Sequence, residues 1–417
     1  MNLTDNDRAM LDGRDGEGCA MAMRIIVRMA ELVQADSLLD ISAAHIDGCG
    51  LLSDSGLLFA ETLAGRGAKV RVPTTLSMGP LDLQHWREFD IPVEFAQKAI
   101  DQGDAYVRMG CIPAWTCAPY QGYLTPRFGQ QIAWGESNAV CYANSVLGAR
   151  TNRYADYVDI CAAITGRVPR VGLHLTENRR GQVVFQLEGF GEDAWQEDVY
   201  YAALGHLLGR ETHDRVPVIV GLPATADGDQ LKALGAAAAS SGGVALFHAV
   251  GVTPEAPTIE AALLDQPPEE IVRLAPEDVD QAYAELSTAE SGEPVHQVVF
   301  GCPHFSFDEF RRLSEILRAE SERGKAFARG VGVTIISSQT SYDLARRAGL
   351  LDELQRWGVR VTLDTCPFHT PLLPPDTEVL VTNSGKCAYY APGELNVRVA
   401  FAKMEDCIHA AIAGRLP

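Results

Sequence analysis

The sequence predicts an α/β protein of more than one domain, built on parallel, doubly wound sheets, and three observations carry that prediction. Its 417 residues exceed what one hydrophobic core usually organises, so two or three domains are expected. From residue 296 to 417, short apolar runs rich in β-branched residues alternate with segments of helical period, the texture of a parallel sheet covered on both faces. Polar and reactive residues recur just after the strand-like runs, where open α/β sheets form their ligand sites.

Residues 1–165 read as an N-terminal α/β domain with site loops. Thr4 caps a short helix, and residues 16–34, with Ala, Met, Ile and Leu at helical spacing, predict a longer one. A strand over 38–42 runs into a turn at 43–49 that carries His45 and Asp47. A helix over 55–65, a strand over 69–72 ending in Pro73-Thr74-Thr75-Leu76-Ser77, and a helix over 92–103 follow. Residues 109–122 hold two prolines, Trp115, Tyr120, Cys111 and Cys117 without any period, as expected of a site loop on a rigid scaffold. A small-residue helix over 135–147 leads to Gly148-Ala149-Arg150-Thr151-Asn152-Arg153. Two arginines and an amide in one turn fit a carboxylate, and fit a solvated helix end equally well.

Residues 166–294 read as a middle α/β domain. Strands are expected over 171–175 and 183–187 with a polar hairpin connection at 177–181, then over 216–221 and 244–250 with an Ala-rich helix, 229–240, between them. The acidic, proline-dotted stretch 254–293 reads as a surface excursion. Residues 295–417 form the C-terminal doubly wound domain. A strand over 297–300 meets the turn Gly301-Cys302-Pro303-His304, and Ser306 with Glu309 makes the S-x-x-E start of a helix over 306–323. Strand 332–336, helix 341–357, strand 360–363, strand 378–381 and a last helix around 403–413 complete it. In a parallel sheet one edge then collects Cys302 with His304, Ser337 with Ser338, Cys366 with His369, and Asn383-Ser384-Gly385-Lys386, and there the active site is expected.

A hydrophobic content of 47% with 22% charged residues is that of an ordinary globular chain. The net charge of -20 and a pI near 4.9 argue against a nucleic-acid or anionic-membrane surface, leaving small molecules or another protein as partners. Residues 1–15 lack the basic-then-apolar order of a signal peptide and no stretch has the length of a membrane span, so a cytoplasmic protein is expected.

Ten cysteines occur without a C-x-x-C pair, so any metal site must gather thiols from distant segments. Cys302 and Cys366 share a strand-end position and Cys117 sits in the aromatic loop, whereas Cys141, Cys161 and Cys407 fall on helical faces and read as core. Cys19, Cys49 and Cys387 fit either role. Three thiols on separate loops suit an iron centre with one position open for a substrate oxygen. The rival is a thiol nucleophile served by His304 or His369. Lys386 fits an anionic substrate group or a solvated charge, and His45 with Asp47 an acid/base pair or a capping turn.

Ala44-His45-Ile46-Asp47-Gly48, Val72-Pro73-Thr74-Thr75-Leu76, Thr116-Cys117-Ala118-Pro119-Tyr120, Ala133-Trp134-Gly135-Glu136-Ser137-Asn138, the run NSVLGARTNR from Asn144 to Arg153, Gly301-Cys302-Pro303-His304 and Asp364-Thr365-Cys366 together resemble the large subunit of the aconitase X family, over nearly the full length. The resemblance implies a multi-domain aconitase-like fold around a central metal site. It further implies a hydro-lyase whose iron–sulfur cluster, of the two-iron type, or mononuclear iron is held by Cys117, Cys302 and Cys366. His45, Asp47, Ser137 and Lys386 become candidate catalytic residues, and Thr74, Thr75, Asn138, Arg150, Asn152, Arg153 and His304 candidate substrate contacts. Ser77 departs from the family's Thr-Thr-Leu-Asn, which counts against a direct role for that side chain. A small swivelling-domain subunit that brings a serine to the site is the implied partner. The implied reaction is dehydration of cis-3-hydroxy-L-proline to Δ1-pyrroline-2-carboxylate, with mevalonate 5-phosphate as the alternative substrate. A metal-binding scaffold without catalysis is the alternative of another class.

Overall fold

The computed structural model describes residues 1–79 and 81–417. The chain divides into two compact units, residues 1–180 with 253–255, and residues 181–252 with 256–417.

In the first unit Thr4 starts α1 (Asp5–Leu11) by a reciprocal cap: its hydroxyl accepts from the Asp7 N–H at 3.1 Å, and the Asp7 carboxylate accepts from the Thr4 N–H at 2.9 Å. Next come α2 (Glu17–Leu32), β1 (Leu38–Asp40), β2 (Ala44–Ile46), α3 (Asp54–Gly65), β3 (Thr74–Leu76), α4 (Val93–Arg108), β4 (Ala133–Trp134), α5 (Ser137–Ser145), α6 (Val158–Thr165) and β5 (Arg167–Pro169). Strands β3, β2 and β4 form a parallel sheet with β2 central, and β1 pairs antiparallel with β5. Met23 and Ile26 of α2 pack into one core with Ile46, Leu76, Tyr106 and Ile160.

Three expectations are corrected here. Residues 44–46, expected in a turn, are the central strand, because a three-residue strand buried on both faces shows no alternation and His45 masks it. Residues 69–72 form no ladder, since Val70 bonds to Met109 and Arg71 to Ala163, two different neighbours; the strand begins only after Pro73. Residues 171–175 are not a strand either. Gly172, at φ 60, turns the chain into a short 3-10 helix over Gly172–His174, so no hairpin connection follows.

The second unit contains β6 (Val183–Leu187), α7 (Asp198–Thr212), β7 (Pro217–Val220), α8 (Gly228–Ser241), β8 (His248–Ala249), α9 (Ile259–Leu263), β9 (Glu270–Leu274) and α10 (Pro276–Glu285). It continues with β10 (Gln297–Phe305), α11 (Phe307–Glu322), β11 (Gly332–Ser337), α12 (Gln339–Arg347), α13 (Leu351–Arg356), β12 (Arg360–Leu363), β13 (Val379–Thr382), α14 (Gly385–Glu394), β14 (Arg398–Phe401) and α15 (Met404–Ala413). Two all-parallel sheets result, ordered β8-β7-β6-β9 and β12-β11-β10-β13-β14. The expected doubly wound α/β class is the observed one. The stretch expected as a surface excursion instead contributes β9 to the four-stranded sheet and α10 beyond it. The single helix expected over 341–357 is two helices, α12 and α13, parted at Gly349, which takes φ 72. Helices α7 and α8 meet with no room for side chains: a Cβ on Gly205 would lie 2.1 Å from the Leu234 carbonyl oxygen.

Candidate active site

The thiol-bearing edge of the five-stranded sheet is made by a detour in β10. Phe300 pairs with Ile335 and Phe305 with Ser337, so residues 301–304 stand opposite Ile336 alone and bulge out of the ladder. They were expected to end the strand; the strand resumes at Phe305. Gly301 permits the bulge, because it takes φ 96 and a Cβ there would sit 1.9 Å from the Ile336 carbonyl oxygen. The Cys302–Pro303 peptide is cis. Ser384, which caps α14 by accepting from the Cys387 N–H at 3.0 Å, donates its hydroxyl to the Cys302 carbonyl. His304 is buried, and its Nε2–H donates to the Thr365 carbonyl at 2.8 Å, fixing the tautomer and tying the bulge to the segment that carries Cys366. That segment turns at Asp364, whose φ is 65. Its N–H donates to the Ser337 carbonyl at 2.8 Å and its Oδ1 accepts from the Gln339 N–H at 2.9 Å.

Cys302 and Cys366 are half-buried while the other eight cysteines are buried. Burial pushes Cys141 up to about 12 and raises Cys19, Cys49, Cys111, Cys161, Cys387 and Cys407 as well, which keeps these as neutral thiols. Cys302 lines a cleft with Pro303, Asn383, Ser384 and Lys386, the last at the first turn of α14. Beneath it lies a group the sequence reading passed over. Lys232 of α8, fully buried, donates to Glu309 at 2.5 Å and contacts Asp229 at 2.9 Å, while Ser306 donates to Asp229 at 2.6 Å. Burial alone would lower the Lys232 amine, but the two carboxylates outweigh it and hold it above its ordinary value.

In the first unit the carboxyl edge of β3-β2-β4 presents a second set. His45 is wholly buried against Trp134, with ring centroids 5.5 Å apart, and its Nδ1 meets the Thr75 hydroxyl at 2.8 Å. Its Nε2 has no hydrogen-bond partner among the described residues. Burial lowers this imidazole to about 4, only partly offset by the Glu136 charge, so it is neutral at pH 7. Glu136 caps α5 by accepting from the Ala139 N–H at 2.6 Å and receives the Ser137 hydroxyl at 3.2 Å. Asn138 donates to the Cys117 carbonyl at 3.2 Å and to the Tyr120 hydroxyl at 3.0 Å, so the thiol loop is fastened to the start of α5. The Thr74 hydroxyl is turned back onto the Val72 carbonyl at 2.8 Å.

Arg150 and Asn152 work as fasteners. Arg150 donates to the Thr176 hydroxyl at 2.8 Å, and the Asn152 amide donates to the Val171 carbonyl at 3.1 Å while its oxygen accepts from the Leu173 N–H at 2.8 Å. Arg153 is exposed. Asp159 gave no motif; its one sequence signal is a lone acid in the apolar run VDICAAIT. Among the described residues no three His, Cys, Asp or Glu side chains form a metal-holding group, and no helix is long and apolar enough to cross a membrane.

Parallel α/β sheets with reactive residues at their carboxyl ends define an enzyme of the strand-end type. Comparison makes the class specific: residues 1–177, 181–284 and 295–413 match the first, second and third domains of aconitase X, and the chain belongs to the aconitase X family. It is 43% identical to a cis-3-hydroxy-L-proline dehydratase of Pseudomonas aeruginosa over 99% of this chain and 70% of that protein, and 41% identical to one of Hypocrea jecorina over 99% and 69%. A phosphomevalonate dehydratase large subunit of Methanothermobacter thermautotrophicus is 37% identical, with 94% of each chain covered. The crystal structure of Thermococcus kodakaraensis aconitase X in its holo form superposes with a TM-score of 0.88 at 30% identity, covering 99% of this chain and 100% of that one. The relatives are dehydratases, so the chain is a hydro-lyase. The family implies a metal or iron–sulfur cofactor, and the donor chemistry fits one: the two half-buried thiols occupy neighbouring segments of a single sheet edge.

Proposed function

We propose that this chain is the large subunit of an iron-dependent dehydratase that removes water from cis-3-hydroxy-L-proline to give Δ1-pyrroline-2-carboxylate. The observation that carries the substrate is identity: two cis-3-hydroxy-L-proline dehydratases match at 43% and 41%, against 37% for the phosphomevalonate enzyme. The partner, a small swivelling-domain subunit bringing a serine, rests on the phosphomevalonate relatives being named large subunits. Cytoplasmic residence stays part of the proposal.

Cys302 and Cys366, with Cys117, are assigned to hold an iron–sulfur cluster of the two-iron type or a single iron. Exposure supports the first two, since each is half-buried where the other thiols are sealed. The chemistry such iron supplies is Lewis-acid assistance to loss of the hydroxyl group. Lys386 holds the substrate carboxylate beside the N–H groups at the start of α14, a placement suited to an anion. Arg150 and Asn152 spend donors on the protein and act as fasteners. Neutral His45, steadied by Thr75, and Asp47 form the acid/base pair, with Ser137, Asn138 and Thr74 around them on the same sheet edge. Removal of the proton beside the carboxylate and departure of hydroxide leave an enamine, which tautomerises to the imine without redox change.

The test is co-expression of the chain with its small subunit, followed by iron analysis and assays of both hydroxy acids. Turnover of mevalonate 5-phosphate and not of hydroxyproline would overturn the substrate assignment. Full activity and full iron in Cys366→Ala would overturn the ligand assignment.

A further inference from the structure

The turn Asp47-Gly48-Cys49-Gly50 leaves the central strand β2 and is held almost entirely by side chains from elsewhere. One oxygen of Asp159 on α6 accepts both the Asp47 N–H at 2.7 Å and the Gly48 N–H at 3.3 Å. From α4, the Tyr106 hydroxyl donates to the Gly48 carbonyl at 2.9 Å, and the Gln102 amide donates to the Gly48 and Gly50 carbonyls at 3.2 and 3.0 Å. All three side chains are buried, with 0% of each exposed. Asp159 also presses on the opposite strand end: a Cβ on Gly135 would meet the Asp47 Cβ at 2.9 Å and the Asp159 carboxylate at 3.1 Å. A buried carboxylate is costly to keep, and a packing role would be served as well by an apolar side chain.

We propose that Asp159 is a positioning residue for the dehydration: through its two bonds to the Asp47–Gly48 backbone, with Tyr106 and Gln102 bonding the carbonyl side, it sets where the Asp47 carboxylate and the end of the His45 strand stand. This rests on the reading that places Asp47 and His45 in the acid/base pair. Two hydrogen bonds to one buried acceptor are together worth enough to slow local opening about tenfold or more. Dehydration depends on the Asp47 position far more than substrate affinity does, so loss of the cradle falls on kcat.

Hydrogen exchange and kinetics on the full chain with its small subunit test this. Asp159→Leu keeps the number and branching of side-chain heavy atoms and removes the acceptor; amide exchange in residues 46–50 rises about tenfold or more while residues 74–76 stay as in the wild type. Its kcat falls at least tenfold with KM within about twofold. Asp159→Asn keeps one acceptor oxygen and restores both exchange protection and most of kcat, which a charge-only role would not allow. Should Asp159→Leu fail to fold, Tyr106→Phe gives the same exchange signature from the carbonyl side. Wild-type exchange in 46–50 for these variants, or wild-type kcat in Asp159→Leu alongside an inactive Asp47→Ala, overturns the proposal. Full activity of Asp47→Ala overturns instead the reading on which it rests, and the exchange result identifies which of the two has failed.

Discussion

Replacing Lys232 by Met tests whether the charge cluster beneath the cleft is a fastener. The amine is fully buried between Glu309 at 2.5 Å and Asp229 at 2.9 Å, and Glu309 also accepts from the Ser306 N–H at 2.7 Å at the start of α11. Removing one partner of a buried pair leaves the other charges uncompensated and costs about 3–5 kcal/mol. For a unit of this size 1 kcal/mol moves the melting temperature by about 2–4 °C, so calorimetry should show the second unit's transition lowered by roughly 6–20 °C. The sign with pH is fixed as well. In the wild type the Lys232 pKa is raised, so its contribution is complete below the ordinary lysine range and is lost only as pH rises through the raised value. In Lys232→Met the carboxylates face one another without a cation and take up a proton, so the deficit grows as pH rises from 5 to 8. Neutralising both acids in the same chain, Asp229→Asn with Glu309→Gln, should recover at least half of the loss. A single variant melting within about 2 °C of the wild type, or a triple variant no better than the single one, would refute the reasoning.

Gly301→Ala should lower the stability of the second unit by about 2 kcal/mol or more, from the left-handed backbone and the 1.9 Å approach to Ile336, and should strip iron; calorimetry and iron content report both. Glu136→Ala removes the cap on Ala139 and should cost about 1 kcal/mol in urea denaturation, with β10 to β14 unaffected. Burial lowers both His45 and His174 to about 4, so between pH 6.5 and 4 the unfolded chain binds protons the native chain refuses, and stability falls with acidity by about 1.4 kcal/mol per pH unit for each. Asp159, raised by burial to about 7, works the other way: its contribution is present at low pH and lost as pH rises through 7. Asp159→Asn should therefore begin acid unfolding at a higher pH than the wild type, and identical acid transitions would count against these assignments.

The elements that were legible in the sequence are those whose local signals agree with their surroundings. Thr4 and Ser306 start helices where their capping patterns stand, and strands β10 to β13 appear as apolar runs near the observed positions. The elements that were not legible are buried on all sides or very short. Helix α7 hides twelve of its fifteen residues, so no polar face marks its period. Helix α14 carries Pro392 inside and β14 spans only four residues, and neither was expected. Of the thiols, Cys366 stands just past a strand end as its sequence position indicates, whereas Cys302 lies in a bulge inside β10 that the sequence did not reveal. Lys232 was not legible, since a lysine in an alanine-rich helix looks like a solvated charge until Asp229 and Glu309 are found around it.

Cys302 and Cys387 show why the sequence could rank the thiols but not separate them. Both belong to segments on the same edge, near enough that the Cys302 charge raises Cys387 beyond what burial does, yet one is half-buried and the other sealed. The difference lies in the backbone. Residues 301–304 leave the β10 ladder and are pinned at three points: Gly301 against the Ile336 carbonyl, the Cys302 carbonyl under Ser384, and His304 on the Thr365 carbonyl. Cys366 follows a left-handed turn at Asp364 that Ser337 and Gln339 hold. Each accessible thiol thus stands within two residues of a backbone detour that distant hydrogen bonds maintain. How each thiol is presented is set by β11, α12 and α14 as much as by the cysteine, and substitutions at Ser384 or Asp364, whose side chains make these bonds, should shift the two thiols without replacing either.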